Sequence, residues 1–287
     1  MHAKEEQETA ICQREWLLHD IMPPMLHRLR EHLETSLSIL SKQTKMDSLP
    51  LTTSKNDSIK GLITLSGTHI NTAELQIKLT PHQETAVKAT IEETAPYFLE
   101  QAQQGRNYIG LATKRVRTMS EPLTKQAAVE LLDDLCKLID RARSSFEYPS
   151  EAALFPYKVC HPKYFSPPLK QDLVIEFFIQ DVFIVCNVYC LDYNTTRGNK
   201  FSSDSPVFVY PLIRTSIAIL CSKHYVHRES LNLSDIRSAT YKDKNATVVD
   251  QAKTKTQSPM LTELKASLQS IRGLCQIYKQ MLLQIEV

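Results

Sequence analysis

The arrangement most suggestive of a chemical site is Cys221, His224 and His227. Their two-residue gaps match the spacing that zinc sites use between ligands. A fourth ligand is missing nearby, and the segment begins in a predicted strand. The alternative, that these are unrelated core and surface residues, is therefore favoured. We expect no metal ligands and no cofactor.

Two other arrangements have simple structural explanations. Cys186 and Cys190 share one face of a predicted strand, and free cysteine packs like a small apolar residue. His19 and Asp20 could be a base and its partner, but neighbours in a helix point to different faces. The sequence contains no glycine-rich phosphate loop and no Gly-x-Ser-x-Gly elbow. We therefore predict no catalytic residues and a protein that is not an enzyme.

A basic cluster formed by Lys114, Arg115 and Arg117 ends a predicted helix. One interpretation is that these charges compensate the helix dipole. The other is that they contact an acidic partner or an anionic lipid. Trp16, the one tryptophan of the sequence, is predicted to be a core residue, whereas an exposed tryptophan would indicate a binding hot spot.

The composition is that of an ordinary globular protein. The 287 residues carry 34 basic and 32 acidic side chains, a net charge of +2 that provides no general field for nucleic acid. Seven cysteines without paired spacing suggest no disulfide framework. The polar N-terminus is unlike a signal peptide, and no apolar run suits a transmembrane segment. We expect a cytoplasmic protein with reduced thiols. Only six glycines favour long helices over an all-β fold.

Hydrophobic residues spaced by three and four predict several helices. The first spans Ile11 to Ser41, with a kink or break at Pro23-Pro24 and a second piece that starts near Pro23. Two middle helices, from Phe98 to Val116 and from Ala128 to Phe146, form a predicted helical hairpin.

The final segment has the clearest helical pattern. Ser258 is a suitable N-cap and Pro259 a suitable first helical residue. The apolar residues of this segment form one continuous stripe, which must be buried against other helices of this chain or against a partner. The predicted seam consists of Leu261, Leu264, Leu268, Ile271, Cys275, Tyr278, Leu282 and Ile285, facing Leu18, Leu29 and Leu33 of the first helix.

Strands are predicted between the helices, where residues alternate or are β-branched and aromatic. Ile59 to Leu79 reads as a β-hairpin whose loop includes Gly67 to Thr72, and helices are expected to return after Pro81. Polar composition predicts loops or linkers over Lys42–Ser58 and Ser230–Gln257. Further strands are predicted over residues 173–179, 183–191, 207–210 and 215–221.

The predicted fold class is α+β. An antiparallel helical bundle formed by the N-terminal, middle and C-terminal helices would be accompanied by a smaller antiparallel β-domain. The bundle domain would contain residues 1–50, 83–150 and 255–287, and the β-domain, with its polar loops, residues 55–82 and 151–254.

The order of these segments resembles the Rogdi family. Glu15 to Asp20, followed by a leucine-spaced helix, resembles the opening of that family, and Ile59 to Gly67 resembles its first strand. Ala73 to Leu79 resembles the second strand, Leu138 to Ser144 the end of the middle helix, and Asp172 to Tyr189 the long strand pair.

The resemblance implies a scaffold role without catalytic residues. The family includes the small subunit of the RAVE complex, which regulates assembly of the vacuolar proton ATPase. Implied partners are a large WD-repeat (rabconnectin-like) subunit, a Skp-type adaptor and subunits of the ATPase's peripheral sector. The implied location is cytoplasmic, with recruitment to vacuolar and endosomal membranes. The alternative is a coiled-coil tether or trafficking adaptor unrelated to the proton pump, whose seam would pair between chains.

Overall fold

Helices and strands are both major parts of the architecture, with more residues in helices than in strands. The computed structural model describes residues 2–41, 46–53, 58–79, 86–119, 124–193 and 238–285. Its helices are α1 His2–Trp16, α2 Met22–Ile39, α3 Glu100–Arg117, α4 Lys125–Ser144 and α5 Pro259–Gln284. Its strands are β1 Met46–Thr52, β2 Ile59–Ser66, β3 His69–Ile77, β4 Val87–Ile91, β5 Tyr97–Phe98, β6 Leu173–Gln180, β7 Phe183–Asp192, β8 Ser238–Tyr241 and β9 Lys244–Gln257.

The strands form two antiparallel sheets, which correct the predicted architecture. The first sheet has the order β1-β2-β3-β4, with β5 beside β3, and the second has the order β6-β7-β9-β8. The α+β class holds, but a helical bundle with a smaller β-domain is wrong because five-stranded and four-stranded sheets are a major part of the structure. Several strands were missed because they are polar on one face, and an antiparallel sheet can expose that face to water.

The loop predicted over Lys42–Ser58 is wrong because the segment contains β1. Leu49 and Leu51 are buried and alternate with the exposed Ser48 and Pro50. Proline is tolerated at this position because β1 is the edge strand of its sheet. The alternation is therefore present in the sequence, but only two aliphatic residues carry it.

Helices return after Pro81, as predicted, but only at Glu100, because the strands β4 and β5, which were not predicted, precede α3. The hairpin of β2 and β3 is confirmed, but its turn is shorter than predicted because β3 already begins at His69. Gly67 has a φ of 57°, a left-handed conformation that glycine adopts without strain.

The linker predicted over Ser230–Gln257 is wrong where β8 and β9 lie. The two strands are joined at Lys242 and Asp243, both of which have positive φ, and β9 pairs with β7 from Phe183 to Asp192. The lysines and glutamines of β9 give it the composition of a linker, and pairing with the distant β7 stabilises it as a strand. The strands predicted within 207–221 lie outside the described residues.

Strands β6 and β7 are confirmed and are buried on both faces. Residues such as Ile175 and Ile184 pack into the main core, whereas Phe178 and Val185 pack on the opposite face with Leu154. Burial of both faces explains why these strands read as continuous apolar runs.

The helices form the layer that carries the predicted seam. The second helical piece starts near Pro23 as predicted, since α2 begins at Met22 with both prolines in its first turn. A break is not found, because a π-helical turn over Leu17–Ile21 joins α1 to α2 and the backbone stays helical throughout. Helix α5 contacts α2 and α4, and α3 contacts both α2 and α4.

The start of α5 confirms two predicted details and adds a third. Ser258 is the N-cap, with its Oγ accepting a hydrogen bond from the N–H of Leu261 at 3.1 Å, and Pro259 is the first helical residue. Buried Asp47 of β1 accepts from Ser258 Oγ at 2.6 Å and from the N–H of Met260 at 2.8 Å. A carboxylate at a helix N-terminus satisfies free amides and complements the dipole, so β1 fixes where α5 begins.

One large apolar cluster contains buried residues from the helices and from both sheets, for example Leu33, Leu75 and Ile175. The sheets are also joined by a hydrogen bond from Thr254 Oγ1 of β9 to the carbonyl of Thr52 at 2.9 Å. The predicted division into two domains stays a prediction.

Candidate interaction surfaces

The predicted seam lies inside the molecule. Tyr278 and Ile285 are partly buried and pack against the core, and the other nine seam residues are buried. Across the seam, the hydroxyls of Ser36 and Ser267 lie 2.8 Å apart and connect α2 to α5. The stripe is occupied by helices of its own chain and is not presented to a partner.

Ion pairs along the rim of the seam set the register of α4 and α5. Arg272 Nε donates to Asp140 Oδ1 at 2.6 Å, and Lys279 Nζ donates to Asp133 Oδ1 at 2.6 Å. Lys125 Nζ of α4 also contacts the carbonyl of Ile285 at the end of α5. The two helices are therefore antiparallel neighbours along most of the length of α4.

The basic cluster at the end of α3 is largely engaged within the chain. Arg117 donates to Glu34 of α2 at 2.7 Å, and Arg115 lies 3.4 Å from Asp134 of α4. The Arg117 guanidinium holds the pKa of the Glu34 carboxyl below its ordinary value. Lys114 is exposed at the helix end. Two of the three charges thus tie α3 to its neighbours, and contact with a partner or lipid stays a prediction.

A cleft of about 600 Å³ opens between the start of α3, the end of α4 and the irregular segment after α4. Phe98, Tyr148 and Tyr157 line it and are exposed, with Tyr157 71% accessible. The cleft could not be predicted from a hydrophobic period, because the segment that follows α4 has none. The available signal was the density of proline and aromatic residues between 148 and 168.

A partly buried glutamine forms hydrogen bonds at the wall of the cleft. The Gln101 Nε2 of α3 lies within 3.1 Å of the carbonyls of Ser145, Glu147 and Ile179. Its Oε1 accepts from the N–H of Ile179 at 2.7 Å. One side chain thus joins α3, the end of α4 and β6 beside the cleft.

Beneath the segment that follows α4 lies a buried carboxylate. Glu176 Oε1 accepts from Asn187 Nδ2 at 3.0 Å and from the Tyr189 hydroxyl at 2.9 Å, and its Oε2 accepts from the N–H of Phe155 at 2.9 Å. The ring of Phe155 stacks on Tyr189 with a centroid distance of 4.5 Å. Glu176 therefore anchors the irregular segment to the outer face of the second sheet.

Burial shifts the pKa values of groups around Glu176. It raises the pKa of Tyr189 well above its ordinary range and the pKa of Cys160 to about 12, and the Glu176 charge adds to both shifts. Burial lowers the pKa of Lys253, whose Nζ lies 5.8 Å from the Tyr148 ring centroid. These shifts disfavour ionised nucleophiles, so the site fits a structural anchor better than a reaction centre.

Several large apolar side chains are exposed on the helices. Trp16 is 53% accessible, so its interpretation as a core residue is wrong. On α5, Ile277 is 58% accessible, and Met281 and Leu283 are also exposed. Such side chains on rigid helices are the type that protein partners contact.

The remaining chemical candidates are dispersed. Cys186 and Cys190 are buried in β7, consistent with packing, and His19 and Asp20 are exposed. Cys221, His224 and His227 lie outside the described residues. Within the described ranges, no group of three or more His, Cys, Asp and Glu side chains could hold a metal ion. In the same ranges, no helix combines the length and apolar composition of a bilayer span.

Comparison with known proteins gives consistent matches. The family model described as "Rogdi leucine zipper containing protein" matches residues 13–282. The chain is 24% identical to "Protein rogdi homolog" of Danio rerio, over 71% of this chain and 78% of that protein. It is 26% identical to "Protein rogdi homolog" of Homo sapiens, over 67% and 72%, and 24% identical to "Protein rogdi" of Drosophila melanogaster, over 71% and 80%.

Proposed function

Because the chain belongs to the Rogdi family, we propose that it is a non-catalytic scaffold subunit of a RAVE-type complex. In this role it promotes assembly of the peripheral sector of the vacuolar proton ATPase onto the membrane sector. Its partners are a large WD-repeat (rabconnectin-like) subunit, a Skp-type adaptor and peripheral-sector subunits. It acts in the cytoplasm and is recruited to vacuolar and endosomal membranes.

The observation that carries the scaffold role is the internal use of the seam. Since α5 buries its stripe against α2 and α4, the bundle is complete within one chain and its outer surface is left for other proteins. Exposed aromatic side chains around the cleft and on α1 offer a suitable contact surface. The tether alternative requires the seam to pair between chains, which its burial opposes.

Affinity purification of the full chain from cells, followed by identification of the co-purifying proteins, tests this role. We expect recovery of a WD-repeat subunit together with subunits of the proton ATPase. Recovery of neither, from an extract in which the ATPase itself is readily detected, would contradict the proposal. A bait in which Leu268→Asp breaks the seam is the matched control, since an unfolded bundle should recover none of these partners.

A further inference from the structure

Two cysteines face each other across the α4–α5 interface. On α4, Cys136 lies between Asp133 and Asp140, and on α5, Cys275 lies between the partners of those two carboxylates, Arg272 and Lys279. The ion pairs are therefore two rungs of an antiparallel ladder, and the cysteines occupy the space between them.

The register of this ladder brings the two thiols together. Both helices advance by seven residues between the rungs, from 133 to 140 on α4 and from 272 to 279 on α5. Cys136, three positions after Asp133, therefore lies opposite Gln276, three positions before Lys279. Gln276 is the neighbour of Cys275 in the sequence. The two thiols interact directly, since a side-chain hydrogen bond with Cys275 has the largest effect on the pKa of Cys136.

The environments of the two thiols differ in a way that suits an ordered oxidation. Cys136 is half-buried and reachable from solvent, whereas Cys275 is fully buried. The contact with Cys275 and the nearby Arg272 guanidinium lower the pKa of Cys136, against opposing effects of burial and of Asp140 and Asp133. The contact with Cys136 and burial raise the pKa of Cys275. The accessible thiol is thus the more readily ionised one.

We propose that Cys136 and Cys275 form a reversible disulfide that links α4 to α5 when a hydroperoxide oxidises the protein. This inference is independent of the proposed scaffold function.

The reaction has two balanced steps. The Cys136 thiolate attacks one oxygen of hydrogen peroxide, an S–O bond forms as the O–O bond breaks, and the leaving hydroxide takes a proton to become water. The Cys275 sulfur then attacks the sulfenic sulfur of Cys136. The S–S bond forms, the S–O bond breaks, and the hydroxide leaves with the thiol proton as a second water. Two thiols are oxidised by two electrons in total and the peroxide is reduced.

Other cysteines of the described residues supply internal controls. Cys12 is exposed on α1 and reports the reaction of a solvent-accessible thiol. Cys186 and Cys190 are buried four residues apart on β7, a separation of roughly 13 Å along a strand, too far to bond to each other.

The test is treatment of the folded full chain with increasing hydrogen peroxide, alkylation of the free thiols, and peptide mapping without reductant. We expect a Cys136–Cys275 cross-linked peptide that disappears after dithiothreitol. The melting temperature of the folded chain should rise on oxidation and return to its starting value on reduction. In Cys275→Ser, Cys136 should instead accumulate as a sulfenic acid that dimedone traps, and Cys136→Ser should show neither product.

Two outcomes would overturn the proposal. One is that Cys136 joins a different cysteine or stops at a sulfenic or sulfinic acid in the unsubstituted chain. The other is that no Cys136–Cys275 peptide appears at peroxide concentrations that oxidise Cys12 completely. Both are read on the unsubstituted chain, so neither depends on whether a serine variant folds.

Discussion

Single polar side chains connect elements that are far apart in sequence. Asp47 of β1 accepts hydrogen bonds at the start of α5, and Gln101 joins α3 and the end of α4 to β6. Glu176 accepts a hydrogen bond from Phe155 in the irregular segment that follows α4. Each is buried or partly buried, and each satisfies backbone groups that would otherwise lack partners. Buried hydrogen bonds of this kind are worth little net when formed but are costly when one partner is removed.

Glu176→Ala should destabilise the protein by roughly 3–5 kcal/mol, because the Asn187 amide, the Tyr189 hydroxyl and the Phe155 N–H would lose their acceptor together. Urea unfolding measures this loss. Glu151→Ala, at an exposed position in the same region, is the control and should change the free energy of unfolding by less than about 0.5 kcal/mol. Equal losses in the two variants would contradict the anchoring role.

Cys160 should make stability depend on pH in the alkaline range. Burial raises the pKa of its thiol from 9.0 to about 12, so between these values the folded chain keeps a proton that the unfolded chain has released. The contribution of Cys160 to the free energy of unfolding is therefore fully present below pH 9. It falls as pH rises towards 12, with a slope below about 1.4 kcal/mol per pH unit.

The measurement is the free energy of unfolding of the native chain minus that of Cys160→Ala across this range. The backbone bonds of Cys160 to the Tyr241 hydroxyl survive the substitution, and other titrating groups cancel in the difference. Cys12→Ala, at an exposed thiol, is the control. A difference that stays constant from pH 9 upwards would contradict the prediction.

Among the elements, helix packing depends on the residues at close crossings. In α3, a Cβ added at Gly105 would lie 2.4 Å from the Phe146 ring, whereas one added at Gly110 would have no neighbour within 4 Å. Phe146 is itself buried beyond the end of α4. The small residue at 105 is therefore required for α3 to approach that ring.

These two glycines form a matched pair for mutation. Gly105→Ala should destabilise the protein by about 1–3 kcal/mol because the Phe146 ring must move out of a packed core. Gly110→Ala should stabilise it by roughly 0.5–1 kcal/mol, since alanine is the better helix former at an open position. Thermal unfolding of both variants checks the opposite signs, and the same sign in both would count against the packing.

For the whole molecule, burial of the seam within one chain predicts a monomer. Light scattering of the purified chain should give a mass of 32.8 kDa at all concentrations tested. The helices α2 and α4 already occupy the stripe of α5, so a second chain would have to displace them. A stable dimer in which chemical cross-links join α5 of one chain to α5 of the other would show that α5 pairs between chains and would favour the tether alternative.

Local sequence was sufficient for elements whose burial repeats with their own geometry. The stripe of α5 could be predicted from its regular period, and its Ser258 cap from the residue type that precedes Pro259. Strands β6 and β7 could be predicted from their continuous runs of apolar, β-branched and aromatic residues. The start of α2 beside Pro23-Pro24 could be predicted for another local reason, since proline is tolerated in the first turn of a helix. Family membership followed from the order of these segments.

The fold as a whole depends on contacts between distant residues. Strands β1 and β9 have weak or polar patterns and exist because β2 and β7 supply their hydrogen bonds. The Asp47 cap, the Glu176 network and the pairing of Cys136 with Cys275 each join positions separated by several elements. Such pairings leave no period in the chain, because the free energy that selects them arises only when the helices and sheets have packed together.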